Sequence, residues 1–146
     1  MDQFLFLFTR ASKLTREAAD EAMSRHGVRV GQNVILERLW LRDGQTPGEI
    51  AAALAIATPT VVRSAERMQA AGLLTRQPHQ TDGRLVRLWL TPRARELQPI
   101  IEQERAHLSD RALAELDVDE RAALIQSLTK IVLAFAGDPN PTADTD

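Results

Sequence analysis

Nine side chains between Thr58 and Arg84 carry the chemistry that can be read in this sequence, and that chemistry is contact with a polyanion. Thr58, Pro59, Thr60, Val62, Arg63 and Arg67 lie at the start, or off the apolar stripe, of a short helical stretch. Small and basic side chains near a helix N-terminus suit a helix laid in the major groove of a DNA duplex. His79, Asp82 and Arg84 sit on the polar turn of a hairpin that follows. Arg84 stands where such a turn can push a guanidinium into the minor groove, which favours cations when narrow. Ordinary roles compete for several of these residues. Arg63 has Glu66 nearby as a surface ion-pair partner, and Arg67 serves either a phosphate or a brace to Asp82. His79 reads as an exposed loop residue within reach of a phosphate, and Arg76 and Arg87 on the ribbon fit either role.

The elements that must position these groups lie between Thr46 and Leu90. Thr46 and Glu49 form a capping box, with Pro47 at the first helical position and Ile50, Ala51 and Leu54 on one face. A break at Ala55-Ile56-Ala57 is followed at once by a second start, with Thr58 read as the cap and Pro59 as the first residue. Two helices joined by so short a turn must cross steeply, which is helix-turn-helix geometry. Val61, Ala65 and Met68 form the inward stripe of the second helix, and Gly72 closes it. Residues 73–77 and 85–90 are then short apolar runs about a polar turn, with Asp82-Gly83 as the turn dipeptide. A hairpin in that position is a wing.

In this order and spacing, residues 46–94 resemble the DNA-binding region of the MarR family of bacterial regulators. The matching pieces are Glu49-Ile50-Ala51, Thr58-Pro59-Thr60-Val61-Val62-Arg63, Gly72-Leu73-Leu74, Asp82-Gly83-Arg84 and Leu90-Thr91. Three positions depart from the family pattern: Ala55 and Ala94 replace usual glycines, and Ser64 stands where an apolar residue is common. The resemblance implies a mainly α fold with a small β wing, a winged helix-turn-helix flanked by N- and C-terminal dimerisation helices. It implies a homodimeric transcription regulator, acting as a repressor on a pseudo-palindromic operator in double-stranded DNA. It also implies a small aromatic or phenolic effector bound where the dimer helices meet the DNA-binding lobe, for which Arg16, His26 and Trp40 are the candidate pocket residues. The rival readings are a winged helix used for protein contacts and a ligand-insensitive architectural DNA-binding protein.

Composition narrows the classes. The 146 residues suffice for one domain with a substantial core. The absence of cysteine excludes disulfides, thiolate metal sites and thiol-based redox sensing. The net charge of −2 argues against nucleic acid only until its distribution is examined. Over residues 58–95 seven arginines face Glu66 and Asp82, a net of +5, whereas residues 101–146 carry four basic and ten acidic groups, a net of −6. Screening confines such fields to about 10 Å at 0.1 M salt, so the local balance governs binding. No phosphate-binding loop, dinucleotide fingerprint or nucleophile elbow is present, and the expectation is a non-enzyme without cofactor or metal. Glu104 and His107 have the spacing of carboxylate-bridged metal sites but lack the companions such sites need. The acidic group Asp117, Asp119 and Glu120 reads as a helix cap.

Outside the lobe, assigned to residues 30–91, the pattern is helical. Residues 4–25 form an amphipathic helix ending at His26-Gly27, and its first turns, Phe4-Leu5-Phe6-Leu7-Phe8, are apolar nearly all round. That run is too short to span a membrane and is soon followed by charges, so a cytoplasmic protein is expected. A second helix covers residues 31–41. After the wing, Thr91 and Pro92 start a helix running to about Leu116 and bent at Pro99, and a last helix starts at Asp117 and stops at Gly137 and Pro139. Residues 138–146 read as a disordered tail. The regions 1–26 and 92–137 carry more apolar surface than the lobe can cover, which points to a dimer interface including Phe4, Leu7, Phe8, Leu128, Val132 and Phe135.

Overall fold

The computed structural model describes residues 2–136, so Gly137, Pro139 and the tail 138–146 named above lie outside the described residues. The chain divides into two compact units, one reaching Leu108 and the other beginning at Ser109. The first holds α1 (Gln3–Ser24), α2 (Gln32–Leu41), α3 (Pro47–Leu54), α4 (Thr58–Ala70), strands β1 (Leu74–Pro78) and β2 (Val86–Leu90), and most of α5 (Pro92–Ala112). The second holds the end of α5 and α6 (Val118–Ala136).

The lobe folds around the apolar stripes expected of its helices. Ile35, Leu36 and Leu39 of α2, Ile50 of α3, Val61 and Met68 of α4, Leu73 and Leu88 are all fully buried together. The capping box of α3 forms in full: Glu49 N donates to Thr46 Oγ1, and Thr46 N donates to the Glu49 carboxylate. α3 then ends on Ala55 in the left-handed conformation (φ 54°, ψ 43°), with Ile56 N donating to Ala51 O. That conformation costs a residue with a Cβ about 1 kcal/mol or more. Ala55→Gly is therefore expected to stabilise the protein by about 0.5–1 kcal/mol after allowance for the looser unfolded chain. A urea denaturation midpoint unchanged or lowered by the substitution would show that Ala55 is not strained there.

Three local expectations are corrected. Thr58 is not the cap of α4. Ala57 holds that position in extended conformation and its carbonyl accepts the first helical N–H groups, which makes Thr58 the first helical residue with its hydroxyl uncommitted to the cap. α5 ends at Ala112 rather than near Leu116. The Arg121 guanidinium donates to the carbonyls of Leu113 and Leu116, which holds the turn that follows the helix. In the wing, the closing bond runs from Leu85 N to Asp82 O, so Gly83 and Arg84 are the central turn residues and Gly83 takes no positive φ. The Asp82 side chain causes this shift, because its Oδ1 accepts Arg84 N in an Asx turn.

The sheet is a two-stranded antiparallel ribbon in the register Leu74↔Leu90 to Pro78↔Val86. Gln45 extends its base through a bridge to Leu88, whose N–H donates to Gln45 O. Thr91 Oγ1 caps α5 by accepting Ala94 N, and Asp117 and Glu120 form the expected reciprocal cap of α6. Gly27 closes α1 with a positive φ of 78°, as expected from His26-Gly27.

Candidate nucleic-acid interface

α4 buries Val61, Ala65 and Met68 and turns its other side outward. Thr58, Pro59, Thr60, Arg63 and Arg67 are exposed on that side, and Val62 is half-buried. Among the described residues neither Arg63 nor Arg67 pairs with a carboxylate, although Glu66 lies three residues from the first and next to the second in sequence. The expected brace from Arg67 to Asp82 is absent. Asp82 is taken instead by Arg84, which reaches it through Nε to Oδ1 (3.1 Å) and Nη2 to Oδ2 (3.2 Å). Two side-chain bonds leave Arg84 Nη1 facing outward, and the Arg84 side chain is 91% exposed. The hydrogen bonds from Arg84 hold the Asp82 carboxyl below its usual range, and the nearby His79 adds to the effect. A carboxyl lowered in this way contributes stability above its ordinary pKa and loses it as the pH falls through the lowered value.

His79 is not a bare loop residue. It is half-buried, with Nδ1 facing the backbone N–H groups of Thr81 (3.3 Å) and Asp82 (3.1 Å), and Nε2 lying 2.9 Å from Arg87 Nη2. Arg87 also donates through Nη1 to Gly44 O at 2.7 Å, so the wing loop is tied to the turn after α2. The same turn is tied to the far end of β2 by Asp43. Its Oδ1 accepts Gly44 N and Leu90 N, both at 2.9 Å, and its Oδ2 accepts Arg95 Nη2 at 2.8 Å. Gly44 has a φ of 71°, and a Cβ there would lie 2.5 Å from the Trp89 ring, so the turn accepts only glycine. Arg93 Nη1 donates to Ala71 O at the end of α4. Asp43, Arg87 and Arg93 thus set how α4 and the wing are held. In the sequence nothing local pairs Asp43 with position 90.

The three residues expected to line one effector pocket lie in three places. Arg16 borders a groove of about 720 Å³ between α1, the α1–α2 connection and α4, together with Lys13, Asp20, Arg29, Ser64 and Arg67. His26 Nε2 meets Glu104 Oε1 at 2.9 Å, and Arg25 lies 3.4 Å from the same carboxylate. These contacts, the hydrogen bond to His26 first, hold the Glu104 carboxyl below its usual range. Trp40 packs on the core with Nε1 donating to Ala94 O, beside a separate hollow of about 230 Å³. Packing and pairing commitments to different neighbours keep the three apart.

The residues named for a dimer interface are largely uncovered within the chain. Phe4 and Phe8 stack at 5.6 Å between ring centroids on a helix whose only buried residue is Met23. Leu7 and Val132 are exposed, Leu128 is half-buried, and Phe135 is 90% exposed on α6, a helix with no buried residue.

Comparison with known proteins places this arrangement. The MarR family model matches residues 35–85, which run from α2 to the wing turn. The whole fold is similar to a MarR transcriptional regulator from Methanosarcina mazei Go1, with a TM-score of 0.79 at 20% identity, over 92% of this chain and 96% of that one. It is also similar to a probable transcriptional regulator from Pseudomonas aeruginosa, with a TM-score of 0.80 at 22% identity, over 89% and 97% of the two chains. A mutant MarR from E. coli, solved in complex with operator DNA, gives a TM-score of 0.79 at 22% identity over 86% and 91%. Among the described residues no helix is long and apolar enough to cross a membrane. Residues 35–85 thus match the MarR family model, and the chain around them has the fold of the solved MarR regulators.

Proposed function

We propose that the protein is a homodimeric repressor that binds a pseudo-palindromic duplex site. The observation that carries this reading is the outward side of α4, where Arg63 and Arg67 stand exposed and unpaired among the described residues beside Thr58 and Thr60. Each α4 enters a major groove, with half-sites about one helical turn apart along the dimer axis. Each wing crosses the backbone and offers the outward edge of Arg84 to the flanking minor groove, while phosphate contacts fix the register. The E. coli relative solved with operator DNA supports this use of the fold. Occupying promoter DNA that polymerase needs accounts for repression.

Arg84→Ala tests the reading. It is expected to weaken operator binding and to flatten the dependence of log K on log salt by about 0.9 for one lost phosphate contact. Unchanged affinity and slope would remove the wing from the interface.

The groove beside α4 supplies the effector reading. Arg29 pairs with Asp20 at 2.9 Å and Lys13 lies 3.9 Å from Glu17, which leaves Arg16 and Arg67 as its unpaired cations among the described residues. An aromatic carboxylate held there would engage Arg67 and so compete with the DNA-bound state, giving the differential affinity that any effector requires. Benzoate at roughly millimolar concentration is expected to raise the melting temperature of the wild type and not of Arg16→Ala. Equal shifts in both proteins, or none, would count against this site.

A further inference from the structure

We propose that His79 is the positioning residue of the wing: its uncharged ring, accepting from the 79–85 loop or from Arg87, holds the wing in its DNA-competent arrangement, and protonation removes that acceptor. The inference rests on the wing contacting DNA, as proposed above.

The argument is one of donors and acceptors. The backbone N–H groups of Thr81 and Asp82 and the guanidinium of Arg87 can only donate. They approach both nitrogens of the one ring, Nδ1 from the loop and Nε2 from β2. A neutral imidazole has a single acceptor nitrogen, so it satisfies one side, and the Thr81 hydroxyl at 3.3 Å from Nδ1 adapts to either tautomer. An imidazolium has no acceptor at all. It would face two backbone donors and place a positive charge 2.9 Å from Arg87 Nη2.

The charged groups at the ring are Arg87 on β2 and Asp82 in the loop. Asp82 attracts an imidazolium, but both of its oxygens are engaged by Arg84. Protonation therefore sets His79 against Arg87 and draws Asp82 away from Arg84, disturbing at once the two arginines of the wing. Arg87 in turn anchors the loop to Gly44 O, so its displacement loosens the ribbon from the turn after α2.

The expected sign is unusual. Adding positive charge near DNA ordinarily tightens binding, because more phosphate charge is neutralised. Here acidification from about pH 8 to pH 5.5, the range in which imidazoles take up a proton, is expected to weaken operator binding by about fivefold, the equivalent of one hydrogen bond. The experiment measures affinity across that range at constant ionic strength for wild type, His79→Asn and Arg84→Ala. Asparagine offers a carbonyl in place of Nδ1 and cannot titrate, so His79→Asn is expected to show no acid-induced drop relative to its own affinity at pH 8. In the DNA-free protein, the amide resonances of Thr81 and Asp82 are expected to shift with the His79 ring as it titrates, and to stay still in His79→Asn. Binding that strengthens on acidification, or a pH profile shared by wild type and His79→Asn, overturns the proposal. Amide resonances that do not follow the ring overturn it independently of DNA. If Arg84→Ala binds as wild type at every pH, the wing assignment itself fails, and the amide titration still decides the role of His79.

Discussion

Replacing Phe4 and Phe8 together by glutamate is expected to turn the protein into a monomer with its winged-helix lobe still folded. Both rings are about half exposed within the chain (51% and 42%) and contribute nothing to the buried cluster around Ile35, Leu36 and Met68, so a single chain loses little by the change. The proposed two-fold interface, by contrast, would bury four such rings. At roughly 1.5–3 kcal/mol per ring this is about 6–12 kcal/mol, before the cost of burying carboxylates. A loss of even 4 kcal/mol raises the dissociation constant about a thousandfold. Operator binding should fall with it, by about 10²–10⁴-fold, because two half-sites would no longer be read by one linked pair. Light scattering checks the mass, circular dichroism the fold and a gel shift the affinity. A dimeric mass for the double variant would remove the start of α1 from the interface.

The parts of the molecule legible in its sequence are those in which short-range chemistry decides. The capping boxes at Thr46 and Asp117 each use one side chain and one backbone group within three residues, and both form as expected. The stripe Val61, Ala65 and Met68 follows from helical period alone and is buried. Failures begin where a neighbour from elsewhere chooses between local options. Thr58 is the better local cap for α4, and the left-handed turn at Ala55 nevertheless gives that position to Ala57 by delivering the chain in extended conformation. Asp82 had two arginines as candidate partners, and the nearer in sequence took it because an Asx turn brings Arg84 round to the carboxylate. Leu116 remained apolar and helix-compatible, but Arg121, five residues on, holds its carbonyl in the turn that follows the helix. The effector trio is spread over three places for a related reason: residue type marks a side chain as able to bind a ligand but not whether another residue already holds it, as Glu104 holds His26 and Ala94 O holds Trp40.

The role of Asp43 shows most clearly what only the fold reveals, and Asp43→Ala is expected to be the most damaging single polar substitution in the lobe. One carboxylate closes the turn at Gly44, accepts the N–H of the nearly buried Leu90 at the base of the wing, and pairs with Arg95 on α5. Alanine removes all three acceptors at once. The Arg95 pair is mostly solvated and its loss counts for little, but the Leu90 N–H is left without a partner in a place water reaches poorly. Roughly 2–4 kcal/mol of stability should be lost, chiefly from the unsatisfied N–H and the freed turn. Asparagine keeps an oxygen at the Oδ1 position and forfeits only the charge toward Arg95, so Asp43→Asn should recover most of the loss. Urea denaturation of the three proteins separates the two contributions. Because the wing is hung from this turn, Asp43→Ala should also weaken operator binding under conditions where the lobe remains folded, and Asp43→Asn should restore it. If alanine and asparagine destabilise equally, the ion pair with Arg95 rather than the Leu90 N–H is what holds the wing to α2.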